Sequence, residues 1–121
     1  MIETLISIAI AFWAAIGATN FPEINISYIH SDKHVASILW PLEDNTCQLR
    51  IYDTFYEIDS YMQQEAITHE IGHCLGLDHI DQPGVMNAHL SDLTAETGAD
   101  VWEYYHVHPL PLLTRIPEIS S

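Results

Sequence analysis

Residues 69–79 read His-Glu-Ile-Gly-His-Cys-Leu-Gly-Leu-Asp-His, with histidines at positions 69, 73 and 79 and an acid at position 70. On a helix with 3.6 residues per turn, His69 and His73 share one face, so two imidazole nitrogens can reach one ion at about 2.0 to 2.1 Å. Glu70 lies beside that face, where its carboxylate can act as a general base instead of a ligand. The spacing therefore indicates a zinc site.

A third ligand requires the chain to leave the helix after His73 and to return toward the ion. Gly76 can adopt a positive φ without steric cost, so we expect it to end the helix and to let His79 supply the third nitrogen. Three protein ligands leave a fourth coordination position open, which distinguishes a catalytic zinc from a structural one. We therefore predict one catalytic Zn²⁺ ion and a hydrolytic reaction.

Two further features surround this motif. Residues 83–87, Pro-Gly-Val-Met-Asn, predict a tight turn, and Met86 in that turn can form an apolar floor beneath the three imidazoles. Cys74 directly follows His73, so its side chain points away from the ion and we reject it as a ligand. Cys47 and Cys74 can form one disulfide or remain two buried thiols, and the sequence leaves both alternatives open.

The H-E-x-x-H-x-x-G-x-x-H pattern with a methionine turn resembles the signature of the metzincin clan of zinc endopeptidases, and residues 69–79 look most like the matrixins. The resemblance implies an α+β catalytic domain with a small twisted mixed sheet, an N-terminal helix, an active-site helix, the methionine turn and a C-terminal helix. It implies His69, His73 and His79 as zinc ligands and Glu70 as the base. The chain departs from the matrixins at Ile80, where they usually carry Ser.

An edge strand is predicted from Val35 to Leu42, because Pro41 cannot donate to a ladder of backbone hydrogen bonds. In metzincins the corresponding edge runs antiparallel to the substrate backbone, which makes residues of this strand candidates for the peptide-binding rim: Ser37, Ile38, Leu39 and Trp40. The resemblance also implies that Ala88, His89 and Leu90 line the pocket for the residue after the cut bond. The alternatives are an edge that faces solvent and, for His89, an ordinary surface histidine.

The remaining elements follow from periodicity. A core-packing helix is predicted for residues 2–18, with these residues on its apolar face: Leu5, Ile8, Ala9, Phe12, Trp13 and Ile16. Alternation predicts a strand at 24–29 that buries Ile24, Ile26 and Tyr28, and a hairpin partner at 46–53 that buries Cys47, Leu49 and Ile51. Residues 30–34 are interpreted as a solvated turn and not as a second metal site. Matrixins usually carry a long loop here that binds structural zinc and calcium. This chain has almost none of that loop, so we expect no structural calcium.

Two more helices are predicted. The active-site helix should run from Ser60, with a Ser60–Gln63 capping box, to Leu75, and should turn four side chains toward the sheet: Met62, Ala66, Ile67 and Ile71. A last helix should begin at Thr94 and carry an apolar stripe of Val101, Trp102 and Tyr105. His106 and His108 are expected on an irregular, solvated tail.

Composition limits the partners. The 121 residues, 1–121, are predicted to form a single domain, and 17 acidic residues against three Lys and Arg give a net charge of −14. So few basic side chains could not neutralise the phosphates of a nucleic acid or of an anionic membrane. We therefore expect neither as a partner. We interpret the negative charge mainly as a source of solubility. The alternative is a preference for cationic peptides. We expect a monomer that acts on a peptide or protein substrate.

Residues 2–18 have the length of a signal peptide's apolar region, but no Lys or Arg precedes them and Glu3 lies where positive charge is typical. The sequence therefore leaves the compartment open: without a convincing signal peptide the protein is cytoplasmic or released without one, with secretion as the alternative. For function, the first alternative to a zinc endopeptidase is a zinc-binding protein or scaffold with weak or no turnover. The second is an exopeptidase, although no clamp for a free peptide terminus is evident.

Overall fold

The computed structural model describes residues 1–39, 45–81, 84–87, 104, 106 and 107. In this part of the chain, three strands follow the first helix, and one 3-10 turn joins the last strand to the second helix. The bounds are α1 Ile2–Ile16, β1 Glu23–Ile29, β2 Ala36–Leu39, β3 Thr46–Tyr52, the 3-10 turn Asp53–Glu57 and α2 Ser60–Cys74. The predicted α+β class is confirmed at this level.

The three strands form one mixed sheet in the order β1-β3-β2. β1 runs parallel to the central strand β3, whereas β2 runs antiparallel to it, with Ser37 opposite Arg50. The predicted hairpin and the predicted edge position of β2 are both confirmed. Residues 40–42 of the predicted strand lie outside the described residues.

Helix α1 belongs to the core, as its periodicity predicts. It ends at Gly17, whose φ of 121° is favourable only for glycine. Its buried side chains recur at helical spacing: Ile2, Leu5, Ile6, Ala9 and Trp13. The expectation for Ile8 was wrong, because Ile8 is 50% exposed and Ile6 takes its place in a narrower buried stripe. In the residues described, neither helix is long and apolar enough to span a bilayer.

Helix α1 holds α2 through two side-chain hydrogen bonds. Trp13 is fully buried and its Nε1–H donates to the carbonyl of Thr68 at 2.9 Å. Near the other end of α1, the amide of Gln64 donates to the carbonyl of Leu5 at 3.0 Å. Because both bonds reach α2 before His69, α1 fixes the first part of the helix that carries the motif.

The start of α2 differs from the predicted capping box. The helix does begin at Ser60, but its N-cap is Asp59, whose carboxylate accepts from the backbone N–H of Met62 at 2.8 Å. Gln63 donates instead to the carbonyl of Phe55 at 2.9 Å. The predicted Ser60–Gln63 capping box was wrong because Asp59, one residue earlier, supplies the side chain that accepts from an amide of the first turn.

The core lies between the inner face of the sheet and the two helices. Cys47, Leu49 and Ile51 of β3 are buried, as alternation predicts. Ala66, Ile67 and Ile71 of α2 are buried as well, whereas Met62 is only half-buried. Tyr28 was expected in the core but is 62% exposed. It lies near the carboxyl end of an edge strand, where its long ring can reach water.

A disulfide joins the sheet to α2. Cys47 and Cys74 are bonded, and their Cα atoms lie 5.8 Å apart. The expectation that these two residues lie close enough to bridge is confirmed. Of the two alternatives left open by the sequence, the structure contains the bridge.

Little of the predicted C-terminal helix falls within the described residues. Tyr104, His106 and Val107 are helical, and Tyr104 is buried. His106 is exposed, as expected, but the expectation of an irregular tail is wrong for this residue. The proposed cap and stripe lie outside the described residues: Thr94, Val101, Trp102 and Tyr105. His108 lies outside them too.

Candidate metal centre

The end of α2 shapes the motif. The helix stops at Cys74, and Gly76 has a φ of 95°, as expected for the residue that ends it. The backbone then folds back, because Gly76 N–H donates to the carbonyl of His73 at 2.9 Å and Leu77 N–H donates to that of Gly72 at 3.1 Å. This turn directs the chain toward His79.

The three predicted ligands come together. Each of His69, His73 and His79 offers one ring nitrogen, and these atoms all lie within 4.8 Å of one another. The ring centroids are 4.6, 5.1 and 4.8 Å apart. His69 is buried, His73 is half-buried and His79 is exposed, so the cluster opens to solvent on one side. Among the described residues, this is the one group of three or more His, Cys, Asp or Glu with such spacing.

Backbone carbonyls orient two of the imidazoles. Nδ1 of His69 lies 2.7 Å from the carbonyl oxygen of Val85, and Nδ1 of His73 lies 2.7 Å from that of Leu77. A carbonyl can only accept, so each Nδ1 carries the proton and donates it. In both rings Nε2 is therefore the atom with the free lone pair, which is the arrangement found at metal-binding histidines whose other ring nitrogen donates to a carbonyl.

These lone pairs face each other. Nε2 of His69 and Nε2 of His73 lie 3.1 Å apart. With both protons on Nδ1 there is no hydrogen bond between them, so the contact is repulsive unless a cation lies between. Two nitrogens of a tetrahedral zinc site, each about 2.0 to 2.1 Å from the ion, would be about 3.3 Å apart. The spacing and the all-nitrogen donor set fit a zinc ion.

Burial keeps these two histidines neutral. It lowers the pKa of His69 to about 4, against a smaller opposing effect of the hydrogen bond to Val85. It also lowers the pKa of His73, whose hydrogen bond to Leu77 acts in the opposite direction. A metal binds the neutral imidazole, so at neutral pH no proton has to leave either ring before a cation is bound.

Glu70 lies in the same cavity but outside the cluster of three nitrogens. Burial raises the pKa of Glu70 to about 8, and the positive charge of Arg50 partly opposes that effect. A cation held by the three imidazoles would favour the carboxylate form in the same way. Glu70 is therefore a half-buried acid whose proton affinity depends on the charge beside it, which suits a group that exchanges protons.

The turn predicted to carry Met86 is present in its described part, residues 84–87. Asn87 N–H donates to the carbonyl of Gly84 at 3.1 Å, and Ile80 N–H donates to that of Met86 at 3.0 Å. The turn also contains Val85, whose carbonyl orients His69. Met86 is fully buried, and its sulfur occupies the space that a Cβ on Gly72 would take. Its role as a floor beneath the imidazoles remains a prediction.

A cavity of about 790 Å³ opens over the cluster, within the usual range for ligand pockets. One wall comes from α2 and the turn after it: His69, Glu70, His73, Gly76, Leu77, Asp78 and His79. The other wall comes from β2 and the segment before it: His34, Ala36, Ser37 and Ile38. The cavity therefore runs between the edge strand and the three histidines.

The predicted substrate-binding residues divide into three groups. Ser37 and Ile38 line the cavity. Leu39 is 50% exposed and is not among the lining residues. The rest lie outside the described residues: Trp40, Ala88, His89 and Leu90.

His34 lines the cavity, although the sequence predicts it in a solvated turn and its side chain is exposed. Its ring packs edge-on against Tyr52, with the centroids 5.2 Å apart. No local pattern identifies this position, because it depends on how β2 pairs with β3.

No protein-family model matches the chain, and no curated protein or solved structure shows a significant match to it.

Proposed function

We propose that this protein is a zinc-dependent endopeptidase that hydrolyses internal peptide bonds. The observation that carries the proposal is the convergence of the Nε2 atoms of His69 and His73, 3.1 Å apart, beside a third histidine and the half-buried Glu70 in one cavity. His69, His73 and His79 would hold the ion. Three protein ligands leave room for a reactant, as in catalytic zinc sites.

A zinc ion in this position supplies Lewis acidity, which polarises a carbonyl group and makes a neighbouring water molecule more acidic. Glu70 accepts the proton from the attacking water and returns it to the amine that leaves. Burial raises its pKa to about 8 in the metal-free protein, and the charge of a bound ion would favour the carboxylate form that accepts the proton. Val85 and Leu77 keep the imidazole rings fixed meanwhile.

The sheet edge favours a peptide as the substrate. β2 is an edge strand, and Ser37 and Ile38 line the cavity that the histidines share. An extended peptide can pair with such an edge through backbone hydrogen bonds and would then lie in the cavity that the three histidines line. Because this pairing engages residues on both sides of the scissile bond, it favours internal cleavage over removal of a terminal residue.

The test is replacement of Glu70 by Gln, with Glu57→Gln as the matched control at an exposed position. Wild type and both variants are loaded with zinc and incubated with a peptide library derived from a proteome, with and without a chelator. We expect Glu70→Gln to lower turnover by about 10² to 10⁴, with zinc content unchanged. Glu57→Gln should cleave like wild type.

Four results would contradict the proposal. Equal cleavage by Glu70→Gln and wild type would show that Glu70 is not the base. Chelator-insensitive cleavage would show that hydrolysis does not depend on the ion, and no cleavage of any peptide by zinc-loaded wild type would favour the zinc-binding scaffold. Products shortened by single terminal residues would favour the exopeptidase.

A further inference from the structure

The disulfide lies next to a predicted zinc ligand. Cys74 is the last residue of α2 and directly follows His73, while Cys47 belongs to the central strand β3. Both cysteines are almost completely buried. The covalent bond therefore fixes the end of the metal-binding helix to the middle of the sheet.

The backbone around Cys74 builds the rest of the centre. His73 accepts from Gly76 N–H through its carbonyl, and its ring donates to the carbonyl of Leu77. His79 follows two residues later. A shift of residue 74 away from the sheet would move one ligand, the carbonyl that orients it and the start of the segment that carries the third ligand.

The two ends of α2 are held differently. The hydrogen bonds from α1 reach Gln64 and Thr68, which both precede His69. Beyond His69, the covalent attachment to the sheet is the disulfide. The first part of α2 can thus stay in place on α1 when the disulfide opens, while the turn that arranges His73 and His79 loses its covalent tether to the sheet.

We propose that the Cys47–Cys74 disulfide positions the metal centre, so that zinc binds the oxidised protein more tightly than the reduced protein. This inference rests on the zinc site of the proposed function but not on its hydrolytic step. Reduction by a small dithiol breaks the S–S bond and gives two cysteine thiols. The dithiol is oxidised to its cyclic disulfide, so two electrons and two protons are transferred.

Thermodynamic linkage makes the coupling measurable from either side. If reduction weakens zinc binding by some factor, zinc must disfavour reduction by the same factor. A tenfold weaker affinity in the reduced protein corresponds to a reduction potential about 30 mV more negative in saturating zinc. We expect a coupling of at least this size.

The experiment titrates the wild-type disulfide in dithiol redox buffers without zinc and with free zinc fixed by a chelator buffer at saturation. Circular dichroism at each potential reports whether the reduced protein is folded. The expected result is a folded reduced protein and a potential at least about 30 mV more negative with zinc. His79→Ala should abolish the shift, whereas His30→Ala, at an exposed position outside the cavity, should retain it.

The sign of the shift separates the alternatives. Zinc captured by the two thiolates of the reduced protein would make the potential more positive, and that result would overturn the proposal. The same potential with and without zinc would overturn it as well. An unfolded reduced protein would do so too, because the coupling would then arise from global unfolding and not from a positioned helix end.

A second measurement does not depend on the redox buffer. The variant Cys47→Ala/Cys74→Ala should bind zinc at least tenfold more weakly than oxidised wild type in a chelator competition assay. Wild-type affinity in a folded double variant would contradict the positioning role. If the double variant does not fold, the reduction potentials of the wild-type disulfide with and without zinc still test the proposal.

Discussion

At the scale of single residues, Gly72 shows how the core and the metal centre share space. It precedes His73 on α2 and has a helical environment, where glycine is ordinarily less stable than alanine. A Cβ at this position, however, would overlap the sulfur of Met86 and lie 2.7 Å from Cζ2 of Trp13. Close packing, not backbone conformation, therefore requires glycine here.

Gly72→Ala should lower the free energy of unfolding by about 1 to 3 kcal/mol, because an added methyl group in a packed core forces its neighbours to move. In an unobstructed helix the same change would stabilise the protein by roughly 0.5 to 1 kcal/mol. Urea denaturation of the zinc-free protein measures the difference. A variant as stable as wild type would show that Met86 and Trp13 do not confine this position.

The spacing of residues 69–79 predicts only part of the metal centre. Spacing alone predicted that His69, His73 and His79 would converge and that Gly76 would adopt a positive φ. It could not predict the carbonyls of Val85 and Leu77, because orienting partners are set by how turns fold and not by residue type. His34 was missed for the same reason, since its place in the cavity wall follows from strand pairing.

At the scale of secondary structure, the beginning of α2 decides how firmly the motif helix is anchored. Asp59 accepts from Met62 N–H, and its own carbonyl accepts from Gln63 N–H at 2.9 Å. Ser60 is the first helical residue and is exposed. The cap is therefore one residue earlier than the capping-box pattern indicates.

The prediction at this scale compares two neighbouring substitutions. Asp59→Ala should cost about 0.5 to 2 kcal/mol of stability, because it leaves an amide of the first turn without its side-chain partner. Ser60→Ala should change stability by less than about 0.5 kcal/mol, as is usual at exposed positions. Thermal denaturation of both variants gives the comparison. A larger loss of stability for Ser60→Ala than for Asp59→Ala would support the Ser60–Gln63 capping box instead.

Periodicity predicted the helices and strands well and their exposure less well. The alternation of Cys47, Leu49 and Ile51 was a reliable guide because β3 is the central strand, covered on one face by the core. Ile8 and Tyr28 fit the same periods but are exposed, since an apolar residue on the correct face is buried only where another element covers it. That coverage is a tertiary property.

At the scale of the whole molecule, the centre combines parts that are distant in sequence. α1 holds the first half of α2, the disulfide holds its end on β3, and residues 84–87 return to orient His69. A bond between residues 27 positions apart contributes about 3 to 4 kcal/mol by restricting the unfolded chain. The three histidines therefore lie in a centre that is fixed from three sides.

The direct test of this centre is X-ray absorption spectroscopy of the zinc-loaded protein, with zinc content measured on the same samples. We predict one zinc per chain, imidazole nitrogens at about 2.0 to 2.1 Å, and no sulfur in the coordination shell. His79→Ala should lose most of the metal, while His30→Ala should keep it. No bound zinc in wild type, or a sulfur ligand at about 2.3 Å, would contradict a centre built from His69, His73 and His79.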